Sequence, residues 1–413
     1  MPPFFRRFAS AEREYRPIFL LGMGGVLFSI GNAVVWFVLP IIAESLFKNL
    51  FTVGLLIAVP SLIAMVFDIP VGGLSDHVGR KKFIIYGMVF MGLLGLVLPS
   101  VHTLLDYAIF MVFFGFANLM IIVPVRAYVM DIAPKAKSSE FFGIIEVAYQ
   151  VGFAVGPVVA GYLIADSLDV SVSNTGLFYF LLCLASALIM LKVKESILLG
   201  KTLIASLKDA IHEDKVYLRS LTDFRDLHYS GAAILFTTFI TVFIDGVIWT
   251  LEPLYTTLGL DVETVGIILV MFVIPFVLFE VPAGMAADRI GKVKMFILGM
   301  AVAGAFLIIF GSTKDPDILM ISAFIATTGL ALSRPAIDGF LTDISSDKER
   351  GGIVGVWNVS EDAAYVASPI IGGLIAESYS ISSTFMLLGC ILILSIPVTY
   401  IALKQSKIYE KHT

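Results

Sequence analysis

The sequence predicts an all-α membrane protein of twelve transmembrane helices, arranged as two six-helix halves related by a pseudo-two-fold axis. Three observations carry that prediction. Apolar residues make up 58% of the chain and charged residues only 15%, where soluble domains run near a quarter charged. Apolar stretches of about 20 residues, each long enough to cross a ~30 Å hydrocarbon slab as a helix, recur along the whole length. The second half of the chain also repeats the first at a fixed offset.

Backbone groups inside lipid must pair within their own segment, so each apolar stretch reads as a helix; the period-2 alternation of a barrel is absent. Spans fall near residues 17–43, 51–75, 83–100, 104–130, 141–165, 176–193, 230–257, 263–287, 293–312, 317–341, 351–377 and 383–403. The opening MPPFFRRFASAEREYR is polar and basic. The apolar run behind it is too long for a cleaved signal peptide and has no small-residue cleavage site. Cys183 and Cys390 both fall within spans, which argues against a disulfide framework or a metal site.

Basic residues set the orientation. Arg6, Arg7, Arg13 and Arg16 precede the first span, Arg80, Lys81 and Lys82 follow the second, and Lys135 and Lys137 follow the fourth. The largest group runs from Lys192 to Arg225, and others follow spans eight, ten and twelve. With alternating helices all of these lie on one side, which the positive-inside rule makes the cytoplasm, together with both termini. The opposite side carries only Lys48 and Lys314. The expected organisation is therefore a first half over 1–193, a cytoplasmic linker over 194–229 and a second half over 230–413. Within the linker, Leu203, Leu207 and Ile211 recur at helical spacing, the pattern of an amphipathic helix on the membrane surface.

The repeat is explicit at an offset of 212 residues, where DIPVGGLSDHVGRKK from Asp68 matches EVPAGMAADRIGKVK from Glu280. The same offset takes Asp131 to Asp343, Gly143 to Gly355, Pro157 to Pro369 and Gly161 to Gly373. One residue further along, Asn32, Trp36 and Pro40 fall on Asp245, Trp249 and Pro253. Two parallel six-helix repeats are a transporter architecture, expected to hold substrate between the halves at mid-depth.

Two motifs stand out. Gly72, Leu74, Asp76, Gly79, Arg80, Lys81 and Lys82 fill the turn after span two, and Gly284, Ala286, Asp288, Gly291 and Lys292 repeat it. Glycine permits the tight turn, and Asp76 is placed to cap a helix or pair with Arg80. The plainer alternative is a basic turn that anchors the chain at the lipid surface. Span five carries Gly143, Gly152, Gly156, Pro157, Ala160 and Gly161, small residues that let helices approach and a proline that bends one. Generic helix packing is the plainer alternative there.

The turn motif resembles the loop between helices two and three of the major facilitator superfamily, over essentially the whole chain. The span-five motif resembles that of the twelve-helix drug/proton antiporter branch, with Ala160 where a glycine is expected. The resemblance implies rocking of two halves, a cytoplasmic gate at the turn motif, a cavity lined by helices one, four, seven and ten, and export in place of uptake. There is one departure. That branch often carries an arginine four residues before a glycine in helix four; Gly115 fits the glycine, but the matching position is Met111, and the nearest arginine is Arg126. Any proton coupling must then use other groups.

The stretch IDGVIWTLEP supplies them. Asp245, Trp249 and Glu252 stand at i, i+4 and i+7, one face of a helix. A carboxylate near the bilayer centre costs about 2.5–3.5 kcal/mol on insertion scales, so this face should meet protein or water. Asp245 is the candidate for proton exchange or for pairing with a cationic substrate, with Glu252 nearer the outer mouth. Trp36 and Trp249 offer flat walls, and Asn32 sits at the repeat position of Asp245. A simpler alternative makes Asp245 a protonated group bonded to a neighbouring helix.

Arg334 and Asp338 are spaced to pair along one helix. Asp338 with Arg126, Asp131, Glu146 and Asp343 reads as a gate network, and Glu361 as either a gate member or a second proton site facing the cavity. No ATP-binding motif, cofactor motif, metal-ligand cluster or nucleophile constellation is present, so an enzyme is not expected. The reading is a secondary transporter of the cell membrane, proton-coupled, exporting a small apolar or cationic molecule. Its expected partners are substrate, protons and the bilayer, without nucleic acid, and it is expected to act as a monomer. The alternatives are a transporter of a sugar, metabolite or lysolipid without proton antiport, and a facilitator-fold sensor or scaffold that does not transport.

Overall fold

The computed structural model describes residues 3–133, 138–164, 168–196, 229–344 and 350–404. The linker helix expected near 203–211 lies outside them. The described residues form thirteen α-helices: α1 Pro3–Phe47, α2 Leu50–Ile57, α3 Val59–Val78, α4 Arg80–Val97, α5 Leu104–Ile132, α6 Ser138–Leu163, α7 Leu168–Met190, α8 Tyr229–Leu251, α9 Val262–Ile290, α10 Lys292–Ser312, α11 Pro316–Ile344, α12 Arg350–Ser378 and α13 Ile381–Lys404. Two 3₁₀ segments, Leu98–Ser100 and Glu252–Leu258, complete them. No strand occurs among the described residues.

Among the described residues, eleven helical segments are long and apolar enough to cross a membrane. The span read near 351–377 is α12, a 29-residue helix with Glu361 and Asp362 along it. The span read near 51–75 is divided between α2 and α3. Pro60 has no N–H to return to the Leu56 carbonyl, which loosens the helix there. Hydrogen bonds from Ala58 N–H to the Gly54 carbonyl (3.1 Å) and from Leu62 N–H to the Ala58 carbonyl (3.0 Å) carry the ladder across.

The described residues fall into two compact units, one within 1–36 and 66–211, the other within 37–65 and 212–413. In the first, α4 packs against α5 and α7. Small residues set the separations: a Cβ on Gly95 would lie 2.8 Å from the Gly176 carbonyl oxygen. The Ser186 hydroxyl donates to the Gly24 carbonyl at 2.7 Å and ties α7 to α1.

In the second unit α10 packs on α11 and α13, α9 on α11, and α8 on α12. Tyr255, Phe272, Phe310 and Phe385 form an aromatic cluster, with the Phe310 and Phe385 centroids 4.8 Å apart. Residues 37–65 precede the repeat boundary in sequence yet belong to this unit. There α2 packs on α12. The Glu377 carboxylate accepts from Leu50 N–H at 2.7 Å, at the start of α2, where negative charge is favoured.

The repeat is visible in the backbone. Gly79 and Gly291 have φ of 104° and 107°, a region open to glycine and strained for other residues. Gly79 N–H bonds the Ser75 carbonyl and Gly291 N–H the Ala287 carbonyl, both at 3.0 Å. The turn that the sequence motif requires of glycine is thus made twice, at matched positions.

Candidate functional site

Within the second unit four helices converge on a small, partly open cavity. Its wall is Thr241, Val242 and Asp245 of α8, Phe276 of α9, Leu330 and Arg334 of α11 and Tyr365 of α12. The Tyr365 hydroxyl donates to Asp245 Oδ2 at 3.0 Å. Arg334 acts electrostatically on Asp245 and lies over the Phe276 ring at 5.7 Å from its centroid, a cation–π arrangement. The cavity therefore joins an anion, a cation, a phenol and an aromatic face. Close approach of α8 and α12 makes the Tyr365–Asp245 contact possible, because a Cβ on Gly246 would overlap the Ser368 hydroxyl.

The structure separates the residues grouped from IDGVIWTLEP. Asp245 lines the cavity; Trp249 and Glu252 do not. The cavity extends from Asp245 toward Thr241 and Val242, whereas Glu252 opens the 3₁₀ segment that follows Leu251, with Pro253. Glu252 is wholly buried. Asn32 is also buried and accepts from the Tyr179 hydroxyl at 3.2 Å, so its side chain holds α1 to α7. Half-buried Trp36 packs edge-on against Phe114, with centroids 5.6 Å apart. Glu361 is one helical turn from Tyr365 on α12 and acts on it electrostatically.

Arg334 lines the cavity with Asp245; its expected partner Asp338 has a side chain outside the described residues. Tyr365 and Phe276 were not singled out from the sequence. The face of Glu361, Tyr365 and Ser368, at i, i+4 and i+7 of α12, held the signal for Tyr365.

The turn motif in the first unit is an ion-pair cluster. Arg80 Nη2 lies 3.1 Å from Asp76 Oδ1, and its Nε lies 2.7 Å from Asp131 Oδ2. The chain leaving α7 closes over it. The Ser196 hydroxyl donates to Asp131 Oδ2 at 2.7 Å, and Tyr128 donates to the Lys194 carbonyl at 2.7 Å. Glu195 Oε1 accepts from Lys81 N–H at 3.2 Å, capping an α4 N-terminus that Gly79 has no side chain to cap. Gly72 sits 3.7 Å, as a hypothetical Cβ, from Val123 of α5. In the second unit Gly291 makes the matching turn and Lys292 begins α10. The side chains of Asp288 and Asp343 lie outside the described residues. Arg126 acts electrostatically on Asp68 and Tyr149, and Glu146 accepts from Gln150 at 3.2 Å on its own helix.

The α6 glycines differ among themselves. A Cβ on Gly152 would overlap the Ser29 hydroxyl, and one on Gly156 would lie 2.9 Å from the Ile30 carbonyl oxygen. These two form the contact with α1. Gly143 has nothing within 4 Å. Pro157 lies inside the helix, and Gly161 is half-buried.

The family model described as Major Facilitator Superfamily matches residues 21–207 and 234–412. The chain belongs to that superfamily. It is a membrane transporter and not an enzyme, and its relatives place it with the drug-antiporter-like branch. It is 26% identical over 357 residues to an uncharacterised MFS-type transporter of Methanocaldococcus jannaschii, covering 84% of this chain and 88% of the relative. It is 24% identical over 394 residues to the quinolone resistance protein NorA of Staphylococcus aureus, covering 91% and 93%. The crystal structure of a bacterial homologue of the human lysosomal transporter Spinster superposes with a TM-score of 0.75 at 12% identity, over 97% of this chain and 98% of that one. That similarity shows the facilitator fold.

Proposed function

We propose that this facilitator is a proton-coupled exporter of small apolar or cationic molecules, in which Asp245 alternately holds a proton and faces a cationic substrate. The observation that carries the proposal is the Asp245 cavity itself. Asp245 lines a small cavity while bonding Tyr365 of the neighbouring α12, so a proton or cationic group that enters meets a carboxylate already held in place. The Tyr365 donor at 3.0 Å fixes its orientation, and the Arg334 guanidinium acts on it electrostatically from α11. A proton or a substrate cation that reaches Asp245 competes with Arg334 for the same charge. Occupation by one therefore weakens binding of the other, which is the thermodynamic requirement for exchange. Phe276 and Tyr365 supply aromatic faces for an apolar or cationic body.

Relatives named for quinolone, tetracycline and multidrug resistance support export, and the glycine–proline motif of α6 is consistent with it. The basic residues of the sequence support a cell-membrane placement with both termini in the cytoplasm. The test is efflux of a fluorescent lipophilic cation from cells expressing wild type or Asp245→Asn at equal membrane abundance. Wild type should lower dye accumulation, and the variant should lose most of that effect. Equal efflux by both would overturn the role of Asp245.

A further inference from the structure

We propose that Glu252 is a second proton-binding site of the transporter, occluded where α8 breaks and separate from the Asp245 cavity. The inference deepens the proton-coupled reading above and rests on it for its role in transport. The presence of the proton is argued from local geometry alone.

Pro253 brings no N–H to the Trp249 carbonyl, so the α-helical ladder loses a bond there, and α8 ends at Leu251. The chain tightens into the 3₁₀ segment Glu252–Leu258 and closes at Gly259, with φ of 97°. Side chains three apart eclipse one another in a 3₁₀ helix. Glu252 therefore stacks over Tyr255, whose ring is buried at 5.3 Å from the Phe310 centroid and 5.9 Å from that of Phe385. Glu252 is 0% exposed, and neither carboxyl oxygen has a hydrogen-bond partner.

An ionised carboxylate so placed would carry a penalty of several kcal/mol with nothing to offset it. A neutral acid loses far less on burial. A metal cation needs several oxygen ligands, whereas the Tyr255 ring beside Glu252 is packed against Phe310 and Phe385. The proton is the ligand that fits. The titratable group facing Glu252 is Tyr255, from its own segment. The nearby acids of the adjoining α9 segment, Asp261 and Glu263, are exposed at its start. Phe310 comes from α10, and Ser382 and Phe385 come from α13. Asp245 stands seven residues back on α8. Water reaches Glu252 only if the 252–258 segment unpacks, so release of this proton is tied to movement of that segment.

The test is infrared spectroscopy of the full-length protein in liposomes at neutral pH, reading the carbonyl stretch of a protonated carboxylic acid. A high-frequency band, as expected for an acid without hydrogen bonds, should appear in wild type and in Asp245→Asn. It should lose one carboxyl's intensity in Glu252→Gln. Glu252→Met provides the same test if the Gln variant does not fold. Absence of the band from wild type, or its persistence in the Glu252 variants, overturns the proposal. Failure of both neutral variants to fold also overturns it, because a site that holds a neutral acid should accept them. Loss of proton coupling at Asp245 would leave the band in place, so the two proposals fail separately.

Discussion

Alanine substitution along α6 separates a glycine that holds two helices together from one that does not. At Gly156 the added Cβ would meet Ala33, with the Ile30 carbonyl oxygen at 2.9 Å and the Val34 nitrogen at 3.1 Å. Backbone atoms cannot swing aside, so α1 must shift, and overpacking of this kind typically costs about 1–3 kcal/mol. At Gly143 nothing lies within 4 Å. Replacing a mid-helix glycine with alanine there should gain roughly 0.5–1 kcal/mol from backbone entropy alone. The backbone gain is common to both positions, so the two chemically identical substitutions should differ by the overpacking cost, about 1–3 kcal/mol. The assay is thermal unfolding of the purified protein in detergent, where 1 kcal/mol corresponds to roughly 2–4 °C for a body of 150–250 residues. Gly156→Ala should unfold several degrees below wild type and Gly143→Ala at or above it. Equal destabilisation by both would refute the assignment of Gly156 to the α1 contact.

Further outcomes follow from other sites. Gly79→Ala, at φ of 104°, should cost about 1–3 kcal/mol by unfolding and displace Arg80 from Asp131; Gly291→Ala should show a similar loss at the matched turn. Asp261 accepts from Thr264 N–H at 2.8 Å and caps α9, and that bonding to Thr264 holds its carboxyl below the usual range. Its contribution is thus present above the unfolded value near pH 4 and is lost as pH falls through the folded one. Asp261→Ala should cost about 0.5–1 kcal/mol at pH 7 and almost nothing in strong acid, by unfolding at the two pH values. Tyr365→Phe keeps the ring but removes the donor to Asp245, a charge-assisted bond typically worth about 1.5–3 kcal/mol. Substrate-driven proton movement in liposomes should change its pH profile in this variant while protein abundance stays normal.

Much of the fold was legible because lipid imposes a simple rule. Each backbone must satisfy itself within a span, so apolar length alone locates helices. The repeat at 212 residues added the turn glycines, since only a backbone requirement would place Gly79 and Gly291 at matched positions with matched φ. The site was less legible. Asp245 was found because a carboxylate in an apolar run is costly, but its partners come from three other helices. Tyr365, Arg334 and Phe276 are far apart in sequence and meet only through packing. Glu252 shares the i, i+7 spacing with Asp245, but its burial at the start of the 3₁₀ segment is set by packing that spacing does not report. The Asp131 cluster shows the same limit. Arg80 was read from its motif, whereas Glu195 and Ser196 close over it from a chain segment whose sequence carries no pattern.

The most direct test of Asp245 as the exchange site uses purified protein in liposomes with a trapped pH dye. A panel of lipophilic cations, sugars and organic acids is added to wild type and to Asp245→Asn. Proton movement on addition of a lipophilic cation to wild type, lost in Asp245→Asn, is the expected result. Proton movement that survives in the variant would contradict the assignment.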